Sequence, residues 1–166
     1  MASPEPIALD LGFEDGEVRV EFDAESIRAL ESGEGNGCWR LAGELDAERV
    51  SVLRVVCASF EDGRLLAVAA SRPAGAAGHG EESVRAALVD AEGALVQMAE
   101  ALLSTEYDSD GRPARIGLEL YVDPDATPLR VAADRDDGDA GGGATPMTFR
   151  MEGVSGTGRL ELVTPH

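Results

Sequence analysis

LLSTEYDSDGRPARIGLELYV, residues 102–122, reads as two β-strands joined by a turn. Leu102–Tyr107 and Arg115–Val122 flank the acid- and glycine-rich tetrapeptide Asp108-Ser109-Asp110-Gly111. Asp-Gly suits a hairpin connection because glycine accepts positive φ without a steric penalty, while the aspartate side chain bonds nearby backbone. The same kind of dipeptide recurs at Asp15-Gly16, Asp62-Gly63 and Glu92-Gly93, each between stretches with strand character. Hairpins at that cadence describe a mostly antiparallel meander, which must close as a β-barrel or fold over as a β-sandwich. The fold class read from the chain is therefore all-β, with at most one substantial helix.

Working outward, Glu17–Phe22 alternates Val18, Val20 and Phe22 with Glu17, Arg19 and Glu21, the pattern of a half-buried strand. Ala24–Leu30 reads as a helical turn or a short link. Cys38–Leu45 and Arg49–Phe60 read as a strand pair. The second carries the run Val50, Val52, Leu53, Val55 and Val56, which predicts burial on both faces or a bulge. Arg64–Ala70 follows as another apolar strand. Glu81–Thr105 is ambiguous, since Val84, Leu88, Ala91, Leu95, Met98 and Leu102 fall at helical spacing. Gly93, however, would cost a helix about 1 kcal/mol. Asp90-Ala91-Glu92-Gly93 also makes a good turn, so two strands are the favoured reading. Leu129–Ala132, Met147–Glu152 and Arg159–Val163 complete the strands. Residues 133–145, acidic and then glycine-rich, read as a flexible surface loop.

At 166 residues the chain is expected to be one domain with a core of Val, Leu, Ile and Ala, since aromatics make up only 4%. No stretch reaches the ~20 apolar residues of a membrane span. The N-terminus carries no basic residue, so a cytoplasmic location without membrane insertion is the expectation. Thirty-two acidic residues face 14 basic ones, all arginine, for a net charge of −18. Cys38 and Cys57 are expected to be reduced and to serve as small hydrophobes.

The chemistry-bearing residues are sparse. His79 lies in Gly78-His79-Gly80-Glu81-Glu82, where flanking glycines let a loop bring an imidazole close to a ligand. Trp39 is a core anchor or a stacking platform, and Tyr107 flanks the clearest turn, where it would line a barrel mouth. Asp134-Arg135-Asp136-Asp137-Gly138-Asp139 resembles a calcium loop only superficially. Its glycine falls at position 5 rather than 6, and Thr145 stands where the bidentate glutamate is needed. Gly153-x-x-Gly156-x-Gly158 lacks the strand–helix context of a dinucleotide fingerprint. No metal, cofactor or catalytic set is implied by any motif.

From Asp62-Gly63 onward the order is a Gly-His loop, a strand pair, the Tyr107-Asp-x-Asp-Gly-Arg112 hairpin, then Phe149-x-Met151-Glu152-Gly153 with Gly158 and Glu161. This order resembles the C-terminal half of the hydroxyneurosporene synthase/AttH-like proteins, over about residues 62–163. The resemblance implies a lipocalin-like (calycin-type) β-barrel associated with isoprenoid and other lipophilic ligands. It carries over His79 alone, because of that family's His-containing motif only Gly78-His79-Gly80 stands here. Three readings follow: a barrel holding a small lipophilic ligand, with His79, Tyr107 and Trp39 as candidate ligand-binding residues; a solid-cored protein–protein interaction module; or an isoprenoid-modifying enzyme of hydratase or isomerase type.

The charge balance excludes one class of partner. A nucleic-acid binder needs a positive footprint to displace counterions, and a net −18 repels phosphate. Duplex DNA and single-stranded RNA are expected to run unshifted in a low-salt gel-shift assay with this protein. A shift that fades on adding salt would contradict that reading.

Overall fold

The computed structural model describes residues 7–11, 18–32, 38–46, 48, 50–74, 82–136 and 144–164. Strands β1 (Ile7–Asp10), β2 (Arg19–Phe22) and β3 (Trp39–Ala42) form a small antiparallel sheet. Between β2 and β3 lie a short helix α1 (Ala24–Arg28) and a 3-10 turn (Ala29–Ser32). Asp23 caps α1 by accepting from the Glu25 amide and the Ser26 hydroxyl, and the fully buried Ile27 pins the helix to the layer beneath.

Beneath it is one large antiparallel sheet. In chain order its strands are β4 (Val50–Phe60), β5 (Leu65–Pro73), β6 (Ser83–Val89), β7 (Leu95–Gln97), β8 (Glu100–Tyr107), β9 (Pro113–Tyr121), β10 (Leu129–Arg135), β11 (Ala144–Met151) and β12 (Val154–Val163). Their order in the sheet is β7-β6-β5-β4-β12-β11-β10-β9-β8, a nine-stranded up-and-down meander whose last strand returns to its first. The two edges of that order are consecutive pieces of one bent strand. The Met98 amide donates to Ala86 C=O on β6, and the next amide, Ala99, donates to Tyr121 C=O at the end of β9. The sheet thus curls toward a barrel, with one half of its seam joined by backbone hydrogen bonds. Along the other half, among the described residues, no backbone ladder joins Ser83–Arg85 to β8.

The acid–glycine turns set this curl. At Asp62-Gly63, Glu92-Gly93 and Asp110-Gly111 the glycine has φ of +94°, +91° and +79°. Each closes a three-residue loop, in which the Phe60, Asp90 and Asp108 amides donate to Arg64, Ala94 and Arg112 carbonyls. This is the three-residue hairpin of a type I turn followed by a left-handed residue, the position glycine fills without penalty. Asp15-Gly16 lies outside the described residues. A shorter, two-residue turn at Glu152-Gly153, with both residues at positive φ, joins β11 to β12.

Alternation sends the two faces of the sheet into two cores. On the inner face Val56, Ala58, Phe60, Leu66, Val68, Ile116, Leu118, Leu120, Met147, Phe149, Met151 and Leu160 pack together. On the outer face of β4–β6, Leu53, Val55, Cys57, Leu65, Ala67 and Ala69 pack against Leu9, Val20, Phe22 and Ile27 of the small sheet and helix. The expectation for Arg49–Phe60 is met in both its forms: β4 is buried on both faces and its register with β5 shifts between Val50 and Val52. Glu81–Thr105 is strand rather than helix, since β6 turns at Asp90–Gly93 into β7.

Other boundaries moved. Cys38–Leu45 does not pair with Arg49–Phe60; β3 pairs with β2 and lies in the layer above. Strand pairing extends into both ends of the stretch read as a loop at 133–145, to Arg135 and from Ala144. β12 begins at Val154, because its glycines make room for rings rather than for a loop. The Phe60 and Phe149 rings meet edge to face, centroids 6.4 Å apart, above Gly156 and Gly158. A Cβ on Gly158 would lie 2.2 Å from Cys57 C=O and 2.7 Å from the Phe149 ring.

Gly158→Ala is therefore expected to destabilise the fold by about 3 kcal/mol, at the upper end of overpacking costs, because backbone must move. Urea unfolding with an unchanged slope checks this; a loss within ~0.5 kcal/mol would mean that β12 yields freely.

Candidate functional site

The two ends of the barrel differ in chemistry. One end is plugged by Phe60, Phe149, Met151 and Leu120. At the other, the inward-facing row of β4 continues past Val56 to Arg54, whose side chain is 4% exposed. Its guanidinium donates to the Glu82 carboxylate at the head of β6 and to the Thr105 hydroxyl on β8. Glu82 is equally buried, its side chain 5% exposed. The rungs beside Arg54 are apolar, with Ala70 on β5 and Leu162 on β12 as its register partners. A charge pair in such surroundings pays a desolvation penalty of several kcal/mol per ion. What it does here is mechanical as well as electrostatic: it links β6 to β8 along the part of the seam that lacks a backbone ladder.

The same rim carries a second polar cluster. Arg135 donates to Asp108 Oδ2 at 2.7 Å and to Pro113 C=O at 3.1 Å. The Asp108 carboxylate also accepts from the Asp110 and Arg112 amides of its own turn. The Arg112 amide first, and then the Arg135 guanidinium, hold the Asp108 carboxyl below its ordinary value. A carboxyl depressed in the folded state contributes stability above its unfolded pKa and loses it as pH falls. The rim hairpin is thus firmest at neutral pH.

The structure separates the sequence candidates. Tyr107 sits at this rim, 47% exposed, beside Asp108. His79 lies outside the described residues; the strands that flank it, ending at Pro73 and starting at Ser83, meet at this same end. Trp39 is in the outer layer, half-buried, donating its indole N–H to Glu161 Oε2 at 2.7 Å on the outer face of β12. Arg54 was not anticipated, and Glu82 was read only as an acid beside His79, not as the partner of an arginine. The signal was an arginine within an otherwise Val-rich strand, at the parity of Val56, Ala58 and Phe60.

A groove of about 590 Å³ lies on the other side of the wall, across β8–β11. Its floor is the row Ser104, Gly117 and Ala132, running on to Arg150. One wall is the next row: Leu102, Glu119, Arg130 and Glu152. A trough forms because small residues pair across the strands between rows of long ones. Its length is about 14 Å, three inter-strand spacings.

No group of three or more potential metal ligands occurs among the described residues, and no helix there is long and apolar enough to cross a membrane. Comparison with protein-family models, with curated proteins and with solved structures found no match to this chain.

Removing one member of the Arg54–Glu82 pair strands the other. Arg54→Met alone is expected to cost about 3–5 kcal/mol, and adding Glu82→Leu to recover most of it. A double-mutant cycle in urea reads this; additive losses would mean that the two side chains are not coupled.

Proposed function

We propose that this domain binds a small, largely apolar molecule at the Arg54 end of its barrel. The apolar body enters between the sheet walls, and a polar group meets Arg54, Glu82 and Thr105. The observation that carries the reading is the buried Arg54–Glu82 pair at the one polar end of an otherwise apolar interior. Replacing such a pair by hydrophobic residues is often neutral or stabilising, so a solely structural role gives little reason to keep it. A buried, rim-facing guanidinium and carboxylate, by contrast, supply the few placed polar groups that orient a ligand in an apolar site. An antiparallel barrel of this size is wide enough to be filled by side chains or to admit one small ligand. The inner face nearest the rim carries small residues, Ala70, Ala86 and Ala133, all buried. Tyr107 belongs to the same end. The resemblance to calycin-type lipid binders is part of this proposal and stands on the turn order alone.

A second reading is favoured by the outer groove. With the interior filled by its own side chains, the trough over Gly117 and Ala132 is a concave surface available to contact a partner protein, and Leu102 on its wall is 49% exposed.

N-phenyl-1-naphthylamine, a neutral apolar fluorophore, separates the two. Saturable one-to-one binding is expected, weakened at least tenfold by Thr105→Phe at the rim and unchanged by Ala132→Arg in the groove. Circular dichroism controls for folding. Absence of saturable binding, or a loss confined to Ala132→Arg, would remove the interior-ligand reading.

A further inference from the structure

Cys38 and Cys57 come together from different layers of the molecule. Cys38 precedes β3 in the outer layer, and Cys57 points outward from the middle of β4. Both belong to one packed core, 2% and 1% exposed. The two thiols are close enough to interact. Buried though they are, they adjoin charged and polar groups. Arg159 is the register partner of Cys57 on β12, and its Nη2 lies 3.7 Å from Cys38 Sγ. The other side of that guanidinium faces Glu161, with Nη1 3.7 Å from Oε1, and Glu161 in turn accepts from Trp39. As a thiol Cys38 donates to Ser26 C=O at 3.6 Å, a bond it gives up on ionising and that Arg159 must outweigh. An arginine held against one sulfur, with a second thiol as donor, favours the thiolate at that sulfur. The charges agree. The Cys57 hydrogen bond first, opposed by burial and aided by Arg159, draws Cys38 below its ordinary value, whereas that bond and burial push Cys57 up.

We propose that Cys38 and Cys57 form a dithiol redox site that reacts with a hydroperoxide, Cys38 as the attacking sulfur and Cys57 as the resolving one. The Cys38 thiolate attacks the terminal oxygen of ROOH; the O–O bond breaks and the alkoxide leaves as ROH, taking a proton. Cys38 is then a sulfenic acid. The Cys57 sulfur attacks it, losing its proton; the S–O bond breaks and hydroxide leaves as water. Two thiols have lost two electrons and two protons, and one hydroperoxide has become an alcohol and water. The product is a covalent staple between the outer layer and the barrel wall, added to the apolar packing and the Trp39–Glu161 and Arg159–Cys38 contacts that already join them. Cross-linking Cys38 to Cys57 restricts the unfolded chain, so oxidation also raises stability.

The experiment treats the full-length native protein with hydrogen peroxide and follows intact mass, free thiols and the fluorescence of Trp39, the neighbour of Cys38 and the chain's single tryptophan. Expected are the loss of two hydrogens without dimer formation, a change in tryptophan emission on the same time course, and a melting temperature raised by several degrees; a dithiol reductant reverses all three. Cys57→Ser is expected to stop at a sulfenic acid on Cys38 that dimedone traps. Cys38→Ser is expected to be inert, and Arg159→Gln to slow the wild-type reaction at least tenfold. Two findings would overturn the site: thiols that react with peroxide only in urea, or oxidation that yields intermolecular disulfides alone. Dimedone labelling of Cys57 in Cys38→Ser, at the rate seen for Cys38, would overturn the assignment of roles.

Discussion

From Leu53 onward strand β4 has no solvent face, and the rest of the molecule is arranged around that constraint. Its even positions, Val56, Ala58 and Phe60, fill the barrel, while Leu53, Val55 and Cys57 form the floor on which the small sheet and α1 rest. A strand apolar on both sides must be covered on both sides, and a single curled sheet covers one. The three-stranded sheet is therefore a required second layer. Its strands are only four residues each, too short to stand alone, and they are stable because Leu9, Val20 and Phe22 are buried against β4 and β5. The dependence runs both ways across one apolar interface.

Exposed sheet edges invite pairing with other chains, and this fold avoids most of that exposure by spending one strand twice. The bend at Met98–Ala99 lets a single stretch donate first to β6 and then to β9. The joint lasts only a few residues before β6 and β8 part. Where backbone bonds stop, the Arg54 side chain spans the gap to Glu82 and Thr105. Position explains why the pair is tolerated. Deep in the barrel a charge would have no partner and no water, whereas at the rim the desolvation cost falls within reach of compensation by the ion pair and the hydroxyl.

Much of the architecture was legible because it depends on local chemistry. Glycine following an acid at three described turns takes the left-handed conformation those loops need, and the strands on either side pair as their alternation requires. Glu81–Thr105 was harder for a physical reason: Ala and Leu serve a barrel interior as well as a helix face, and only the turn at Asp90–Gly93 distinguished the two. Less legible were pairings between distant segments. Cys38–Leu45 looked like the partner of Arg49–Phe60 because neighbours in sequence usually pair, yet β3 was captured by β2. Ile7–Asp10 was not read as a strand, four alternating residues being too short a signal, and its place follows from the apolar floor beneath it.

The candidate sites were least legible, because each is assembled from strands far apart in sequence. Arg54 appears as a blemish in a Val-rich run until its inward parity, Glu82 and Thr105 are seen together. Trp39, read as a core anchor or a stacking platform, acts at a layer boundary through Glu161. That carboxylate also lies beside Arg159, which in turn reaches Cys38, so one polar chain runs from the tryptophan to the thiol pair. Such a chain lies between two apolar layers, where each member must be satisfied by the next or bear the cost of burial unpaired. The arrangement couples the chemical state of two small sulfur atoms to the contact on which β4's second face depends. A change at Cys38 would be felt first at the interface between the layers, and only through β12 at the barrel itself.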